Sequence, residues 1–357
     1  MTNRNKTKVI NVGGIPVGGG HQIVIESMTN TDTRNIPATV KQINALAAAG
    51  CEIVRTAILD AEAAEAIKQI KSEISIPLIA DIHFDYRLAL TAIKNGADKL
   101  RINPGNIGDE NRVRQVAEAA DAHGIPIRVG VNGGSLEKSI LAKYGGVTPE
   151  GLAESALTHV GLLEKFGFEN IAVSAKASNA PLLIEANKIL AQHTSYPIHI
   201  GLTEAGTPYN GAIRSAVGLG VLLNLGIGNT IRVSLSGDPL PEIYAAKEIL
   251  ASLGLRKFGI TVIACPTCGR TEVDIPGLAG LALRLEKRFA NAKKPLTIAV
   301  MGCVVNGPGE AKDADIGIAC GKGAAALFKK GEIVRRINEC EMEEVLFAEV
   351  DVLLREI

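Results

Sequence analysis

Cys265 and Cys268 flank a Pro-Thr pair, and Cys303 lies in a second turn-rich stretch, Met301-Gly302-Cys303-Val304-Val305-Asn306-Gly307-Pro308-Gly309-Glu310. Pro266 and Gly269 bend the first loop so that both of its thiolates can face one metal, and the second loop brings a third. An iron–sulfur cluster held by three cysteines and one weaker ligand accounts for the pattern best, because such an iron can exchange its weak ligand for a substrate oxygen. A structural zinc wants four closed ligands and would have to recruit Cys320 or Cys340. A redox disulfide is the third reading. Taken singly, Cys51, Cys320 and Cys340 read as small buried apolar residues.

A second set of chemically capable residues falls at the ends of short apolar, β-branched runs. Arg55, Asp81 with His83, Arg101 with Asn103, Arg128 with Asn132, Lys176, Thr203 with Glu204, and Arg232 with Ser234 occupy seven successive run ends. The two-residue spacing within Asp81/His83, Arg101/Asn103 and Arg232/Ser234 puts both members of each pair on one strand face. Four arginines and a lysine would converge, and so many buried like charges are destabilising unless an anion completes the site. Arginine's planar fork suits phosphate oxygens, so the expected ligand carries more than one phosphate. Glu204, between Thr203 and Ala205-Gly206, is the expected proton donor or acceptor. Its bland alternative is a salt bridge to a ring arginine. Asp81 and His83 could instead be half of a metal site whose other ligands are not visible.

The elements that must position these residues follow a regular alternation. Apolar runs begin near Ile23, Glu52, Pro77, Lys99, Pro126, Asn170, Pro197 and Thr230, and each is followed by a helix-like segment. Segments 38–49, 61–71, 149–166 and 239–252 carry helix-period apolar positions among Ala, Leu, Glu and Lys. Eight such units predict a TIM-type (β/α)8 barrel over 23–257, whose active site lies at the C-terminal ends of the strands. No G-x-G-x-x-G follows any strand, which argues against dinucleotide folds. Ahead of the barrel, residues 1–22 read as a hairpin around Gly13-Gly14. After Leu253-Gly254-Leu255 the pattern changes, predicting a smaller α/β iron–sulfur domain over 258–357 that closes with a helix.

Composition bounds the rest. The 357 residues carry 38 basic and 38 acidic side chains, so no global field recruits nucleic acid or an anionic membrane. Aromatic residues are 3% with no Trp, which removes stacking platforms for single-stranded nucleic acid. No apolar run approaches the roughly 20 residues of a membrane span, and Met1 to Lys8 has no apolar core for export. A soluble cytoplasmic protein is expected.

The chain closely resembles the bacterial 4-hydroxy-3-methylbut-2-enyl diphosphate synthases of the methylerythritol phosphate isoprenoid pathway. The likeness rests on Glu26-Ser27-Met28-Thr29, Ala80-Asp81-Ile82-His83-Phe84, Arg101-Ile102-Asn103-Pro104-Gly105-Asn106, Gly130-Val131-Asn132, Gly134-Ser135-Leu136-Glu137, His199 through Gly206, and both cysteine loops. It covers nearly the whole chain and implies the two-domain bacterial form. It implies reductive ring opening of 2-C-methyl-D-erythritol 2,4-cyclodiphosphate, with loss of water, to the linear hydroxy-methylbutenyl diphosphate. By the same resemblance, Cys265, Cys268, Cys303 and Glu310 ligate a 4Fe-4S cluster and Glu204 is the catalytic acid. Arg55, Asp81, His83, Arg101, Asn103, Arg128, Asn132, Lys176, Thr203, Arg232 and Ser234 fall where the substrate is held. A flavodoxin or ferredoxin is implied as electron donor, as is a head-to-tail homodimer. Two rivals stand beside this reading. One is a redox-silent transferase or isomerase with structural zinc, and the other is a non-enzymatic iron–sulfur sensor.

Overall fold

The structure is a computed structural model that describes residues 4–268, 271, 275–290, 292–303 and 311–355. The chain divides into two compact units, Met1–Arg256 and Lys257–Ile357.

The first unit opens with a hairpin, β1 (Ile10–Val12) and β2 (Ile15–Val17), paired antiparallel around Gly13 and Gly14. Both glycines have positive φ, the backbone region that L side chains avoid, so the tight turn depends on them. Eight parallel strands follow: β3 (Val24–Met28), β4 (Ile53–Ala57), β5 (Leu78–Asp81), β6 (Lys99–Ile102), β7 (Ile127–Asn132), β8 (Ile171–Lys176), β9 (His199–Ile200) and β10 (Thr230–Ile231). They run in the order β8-β7-β6-β5-β4-β3-β10-β9. A parallel bridge from Val173 to Ile198, with the Val173 amide donating to the Pro197 carbonyl at 3.0 Å, joins the two ends and closes the barrel. The expected (β/α)8 barrel is the observed fold.

Between the strands run α1 (Ile36–Ala49), α2 (Ala61–Glu73), α3 (Tyr86–Lys94), α4 (Glu110–Ala122), α5 (Lys138–Tyr144), α6 (Pro149–Lys165), α7 (Ala180–His193), α8 (Pro208–Asn224) and α9 (Leu240–Ser252). Asn35, Asp60, Asp85, Asp109, Thr148 and Asn179 each cap a helix by accepting a hydrogen bond from a first-turn amide. All of these caps but Thr148, which joins α5 to α6, lie in a strand-to-helix loop, so polar caps and site residues share the same rim. Beneath the barrel, Ile10, Val12 and Val17 of the hairpin pack with Val24, Ile53, Ile79 and Ala172 at the N-terminal ends of the strands. The hairpin therefore plugs the floor, leaving the C-terminal rim for chemistry.

The second unit is built on a five-stranded sheet of β11 (Ile260–Ala264), β12 (Leu296–Met301), β13 (Ile316–Gly321), β14 (Ala324–Lys329) and β15 (Glu332–Asn338) in sequential order. The first three are parallel and the last three antiparallel. Leu278, Leu281, Leu285 and Phe289, along or just beyond α10 (Ile275–Arg288), pack on one face of the sheet. Leu346 and Val350 of α11 (Met342–Arg355) join them against Ile298, Val300, Ile316, Ile318 and Leu327. The antiparallel meander β13–β15 is absent from the sequence reading. Its turns are short and charged, and β15 has five exposed residues in succession with no alternating pattern to find.

Candidate active site

At the C-terminal ends of the barrel strands a cavity of about 140 Å3 is lined by Arg55, Asp81, His83, Arg101, Asn132, Ser174, Lys176, Leu202, Thr203, Arg232 and Ser234. Nine of these eleven were expected from sequence. Asp81 accepts from Arg101 Nη1 at 3.1 Å and lies 3.5 Å from Arg55 Nη1 and 3.4 Å from His83 Nε2. Burial opposes its ionisation, but Arg55, His83 and Arg101 together hold its carboxyl well below the usual aspartate range.

Arg128 and Asn103 do not line this cavity. The expectation that Arg128 ends its strand is corrected: β7 runs on to Asn132, so Arg128 sits four residues deeper in the barrel. There its Nη1 donates to both carboxylate oxygens of Glu26, at 2.8 and 2.6 Å. Asn103 is also buried, and its side-chain oxygen accepts from the Gly105 amide at 3.1 Å, shaping the loop after β6.

Glu26 is the hub of this deeper layer. Lys99 Nζ lies 3.6 Å from it, Arg55 Nε 3.7 Å and His199 Nδ1 3.7 Å. Burial disfavours the Glu26 carboxylate, yet Arg128 and the neighbouring cations outweigh it and keep it well below the usual range. Burial, reinforced by Arg128, drives the His199 imidazole well below its ordinary value, so it is neutral and shares a 2.8 Å hydrogen bond with Thr230. Six basic side chains (Arg55, Lys99, Arg101, Arg128, Lys176, Arg232) thus face three carboxylates (Glu26, Asp81, Glu242) in and around the barrel interior. Among the described residues Arg55 Nε, Arg128 Nε, Arg128 Nη2 and Arg232 Nε are buried without a hydrogen-bond partner, although Arg55 Nε and Arg232 Nε lie 3.7 and 3.6 Å from the Glu26 and Glu242 carboxylates. Such donors are costly unless a ligand meets them. An anion is what this arrangement can bind.

Glu204 stands at the rim with Asn132, Ser135, Ser178, Asn179 and Thr203 around a second cavity of about 530 Å3, which shares Asn132 and Thr203 with the first. It is exposed, forms no ion pair among the described residues, and its backbone sits at φ 53°, a strained setting for a non-glycine residue. The salt-bridge alternative for Glu204 is thereby not the observed arrangement.

In the second unit, β11 and β12 are parallel with Ala264 opposite Val300, and the Cys265 amide donates to the Val300 carbonyl at 2.9 Å. That register sets Cys265 and Cys303 just beyond the adjoining C-terminal ends of β11 and β12. Cys268 is exposed after Thr267, which takes a left-handed turn at φ 61°. All six cysteines are free thiols. Among the described residues no three His, Cys, Asp or Glu side chains are gathered as a metal would hold them, and Glu310 lies outside those residues. The donor set nonetheless fits an iron–sulfur group: partly exposed thiols at adjoining strand ends, none spent in a disulfide. Burial pushes the Cys51 and Cys320 thiols up to about 12, so both are protonated at neutral pH in the metal-free protein.

Comparison with known sequences decides the family. Residues 7–247 match the family described as GcpE TIM-barrel domain, and residues 261–352 match the GcpE protein C-terminal domain. The chain belongs to the GcpE family. Two relatives named 4-hydroxy-3-methylbut-2-en-1-yl diphosphate synthase (flavodoxin) span it nearly end to end. That of Caldanaerobacter subterraneus subsp. tengcongensis is 55% identical over 353 residues, 99% of each chain. That of Clostridium perfringens is 54% identical over 351 residues, 98% of this chain and 100% of its own. Among solved structures, the Yersinia pestis dihydropteroate synthase overlays with a TM-score of 0.50 at 12% identity, covering 69% of this chain and 98% of that one. That likeness is one of fold alone.

Several residues of this GcpE-family site escaped the sequence reading. Lys99 stands two residues before Arg101, so the same-face rule that paired Arg101 with Asn103 also finds it. Glu26 is a charged residue within the buried run Val24-Ile25-Glu26, a visible signal for a buried ion pair. Glu242 had no signal. It belongs to the first turn of α9, where acids are ordinary, yet it is buried, accepts from Ser27 Oγ at 2.9 Å and the Leu235 amide at 3.0 Å, and lies 3.6 Å from Arg232 Nε.

Proposed function

We propose that this chain catalyses the two-electron reductive opening of 2-C-methyl-D-erythritol 2,4-cyclodiphosphate, with loss of water, to 4-hydroxy-3-methylbut-2-enyl diphosphate. The observation that carries the reading is the rim cavity, where the side-chain donors of Arg55, Arg101, Lys176 and Arg232 converge. A cyclic diphosphate supplies the acceptors those donors need. Both relatives' names end in a diphosphate product and specify flavodoxin.

In this reading Cys265, Cys268, Cys303 and Glu310 hold a 4Fe-4S cluster, which when bound supplies single electrons and a Lewis-acidic iron. The chain's own residues do the rest. Arg55, Arg101, Lys176 and Arg232 fix the diphosphate, with Arg128 held behind them by Glu26. Asp81 holds Arg101 and His83 in place, while Asn132, Asn103, Thr203 and Ser234 orient hydroxyl groups. Glu204, on its strained rim turn, presents a proton to the departing oxygen. A flavodoxin or ferredoxin delivers the electrons.

The chain works as a head-to-tail homodimer in the cytoplasm, where a reducing milieu keeps its cysteines available. A row on α8 and its C-cap supports a chain–chain contact: Tyr209, Ile213, Val217, Val221 and the capping Leu225 recur every four residues, and all are exposed.

The test is turnover of the cyclodiphosphate by anaerobically purified protein with a strong reductant, alongside iron, sulfide and zinc analysis. Product with about four irons per chain is expected. One colourless zinc per chain would favour the transferase rival, and a loaded cluster without turnover the sensor.

A further inference from the structure

Among the described residues, every buried or half-buried basic side chain of the barrel interior but one has a carboxylate partner. Arg128 and Lys99 have Glu26, Arg55 has Glu26 and Asp81, Arg101 has Asp81, and Arg232 has Glu242. Lys176, at the C-terminal end of β8, is equally buried, yet among the described residues no carboxylate forms an ion pair with it. Its amine lies over Gly201, where a β-carbon would come within 3.1 Å of Nζ, and it faces the rim cavity.

The charges around it are mostly of its own sign. Arg55 from β4, Arg128 from β7 and Arg232 from beyond β10 all bear on it. Glu26 from β3 opposes them, and Arg128 already holds it; Asp81 from β5, which lines the same cavity, is held by Arg55 and Arg101; His199 from β9 is neutral. A buried ammonium needs a counter-ion to repay its lost hydration, and three guanidiniums add repulsion to that loss.

We propose that Lys176 is an uncharged amine in the ligand-free barrel and takes a proton from solvent when a diphosphate seats beside it. The proposal rests on the anion-pocket reading above and adds to it a proton carried in with the substrate. No other bond changes: the amine's lone pair accepts the proton, and the ammonium then pairs with the ligand's oxygens. Burial and the nearby arginines hold its ammonium well below the usual lysine range, and the ligand's negative charge raises it again. Between the two values the empty site lacks the proton and the complex holds it, so affinity falls as pH rises through that window.

The experiment is calorimetric titration of the cluster-loaded full chain with inorganic diphosphate, anaerobically, in buffers of differing ionisation enthalpy. It is repeated on Lys176→Arg, whose guanidinium is charged throughout. Ionisation of the probe and of His83 is common to both and cancels in the difference. Wild type is expected to take up about one proton more per diphosphate than the variant. The wild-type Kd should rise about tenfold more per pH unit within the window. Equal uptake by the two proteins overturns the proposal. No binding by wild type overturns the anion-pocket reading itself, and this proposal with it. Lys176→Met gives a ligand-free check should the arginine variant fold poorly. The folded wild type binds fewer protons here than its unfolded chain, so its stability should climb with pH more steeply than the methionine variant's. Parallel stability profiles would overturn the proposal as well.

Discussion

One nitrogen of Arg128 donates to both oxygens of Glu26, at 2.8 and 2.6 Å, in a part of the barrel that solvent does not reach. The pair joins β3 to β7 across the barrel, and Lys99 and Arg55 lean on the same carboxylate. Removing one member leaves the other buried and uncompensated, which typically costs about 3–5 kcal/mol. Glu26→Ala should therefore destabilise the protein by that order. Glu26→Gln with Arg128→Met, which removes both charges at similar volume, should recover much of the loss. Denaturant unfolding of the three proteins checks this; a double variant no more stable than Glu26→Ala would refute it.

Acid should act through the same carboxylates. Both Glu26 and Asp81 are held well below their ordinary values in the folded protein. Each therefore contributes stability that is complete above its unfolded value, about 4.3 for Glu and 3.9 for Asp, and that is lost as pH falls toward the folded value. Denaturation midpoints followed by circular dichroism should fall more steeply below about pH 5 than above it, and Asp81→Asn should flatten that acid limb. A variant with the wild-type slope would remove Asp81 from this account.

Glu204 is exposed and forms no ion pair among the described residues, so its loss should cost chemistry and little else. Glu204→Gln is expected to lower kcat by about 10²- to 10⁴-fold while the melting temperature and cluster absorption stay at wild-type values. Steady-state turnover and a visible spectrum decide the point, and retained kcat would exclude the residue from proton transfer.

The cysteines divide into two classes with different expected outcomes. Cys303→Ser should lose the visible absorption and most of the bound iron and sulfide, because Cys303 and Cys265 follow the adjoining ends of β12 and β11. Cys51→Ala and Cys320→Ala should keep the full iron content, since both thiols are buried and protonated. Loss of iron in the Cys51 variant, or its retention in Cys303→Ser, would reverse the assignment.

Val217 is the middle residue of the exposed apolar row on α8 and is 55% exposed. If that row meets a second chain, Val217→Glu buries a charge at the contact and should shift the protein from dimer to monomer without lowering its melting temperature sharply. Light scattering coupled to size exclusion reads the result; an unchanged dimer would place the interface elsewhere.

What the sequence by itself determined was the part of the protein written in short-range repeats. Eight alternations of apolar run and amphipathic helix imply a closed barrel, because parallel strands connected by helices must bury both faces. Residues at the ends of those runs must then share one rim, so Asp81, Arg101, Lys176, Arg232 and Ser234 were legible without coordinates. Tertiary structure alone decided which cation meets which carboxylate. Glu26 and Arg128 are 102 residues apart, Ser27 and Glu242 are 215 apart, and no local pattern encodes such a meeting. The depth of Arg128 depended on where β7 ends, and the solitude of Lys176 depended on where every nearby acid had gone. Charge in a low-dielectric interior is set by all neighbours at once, and neighbours in space are what a linear reading does not contain.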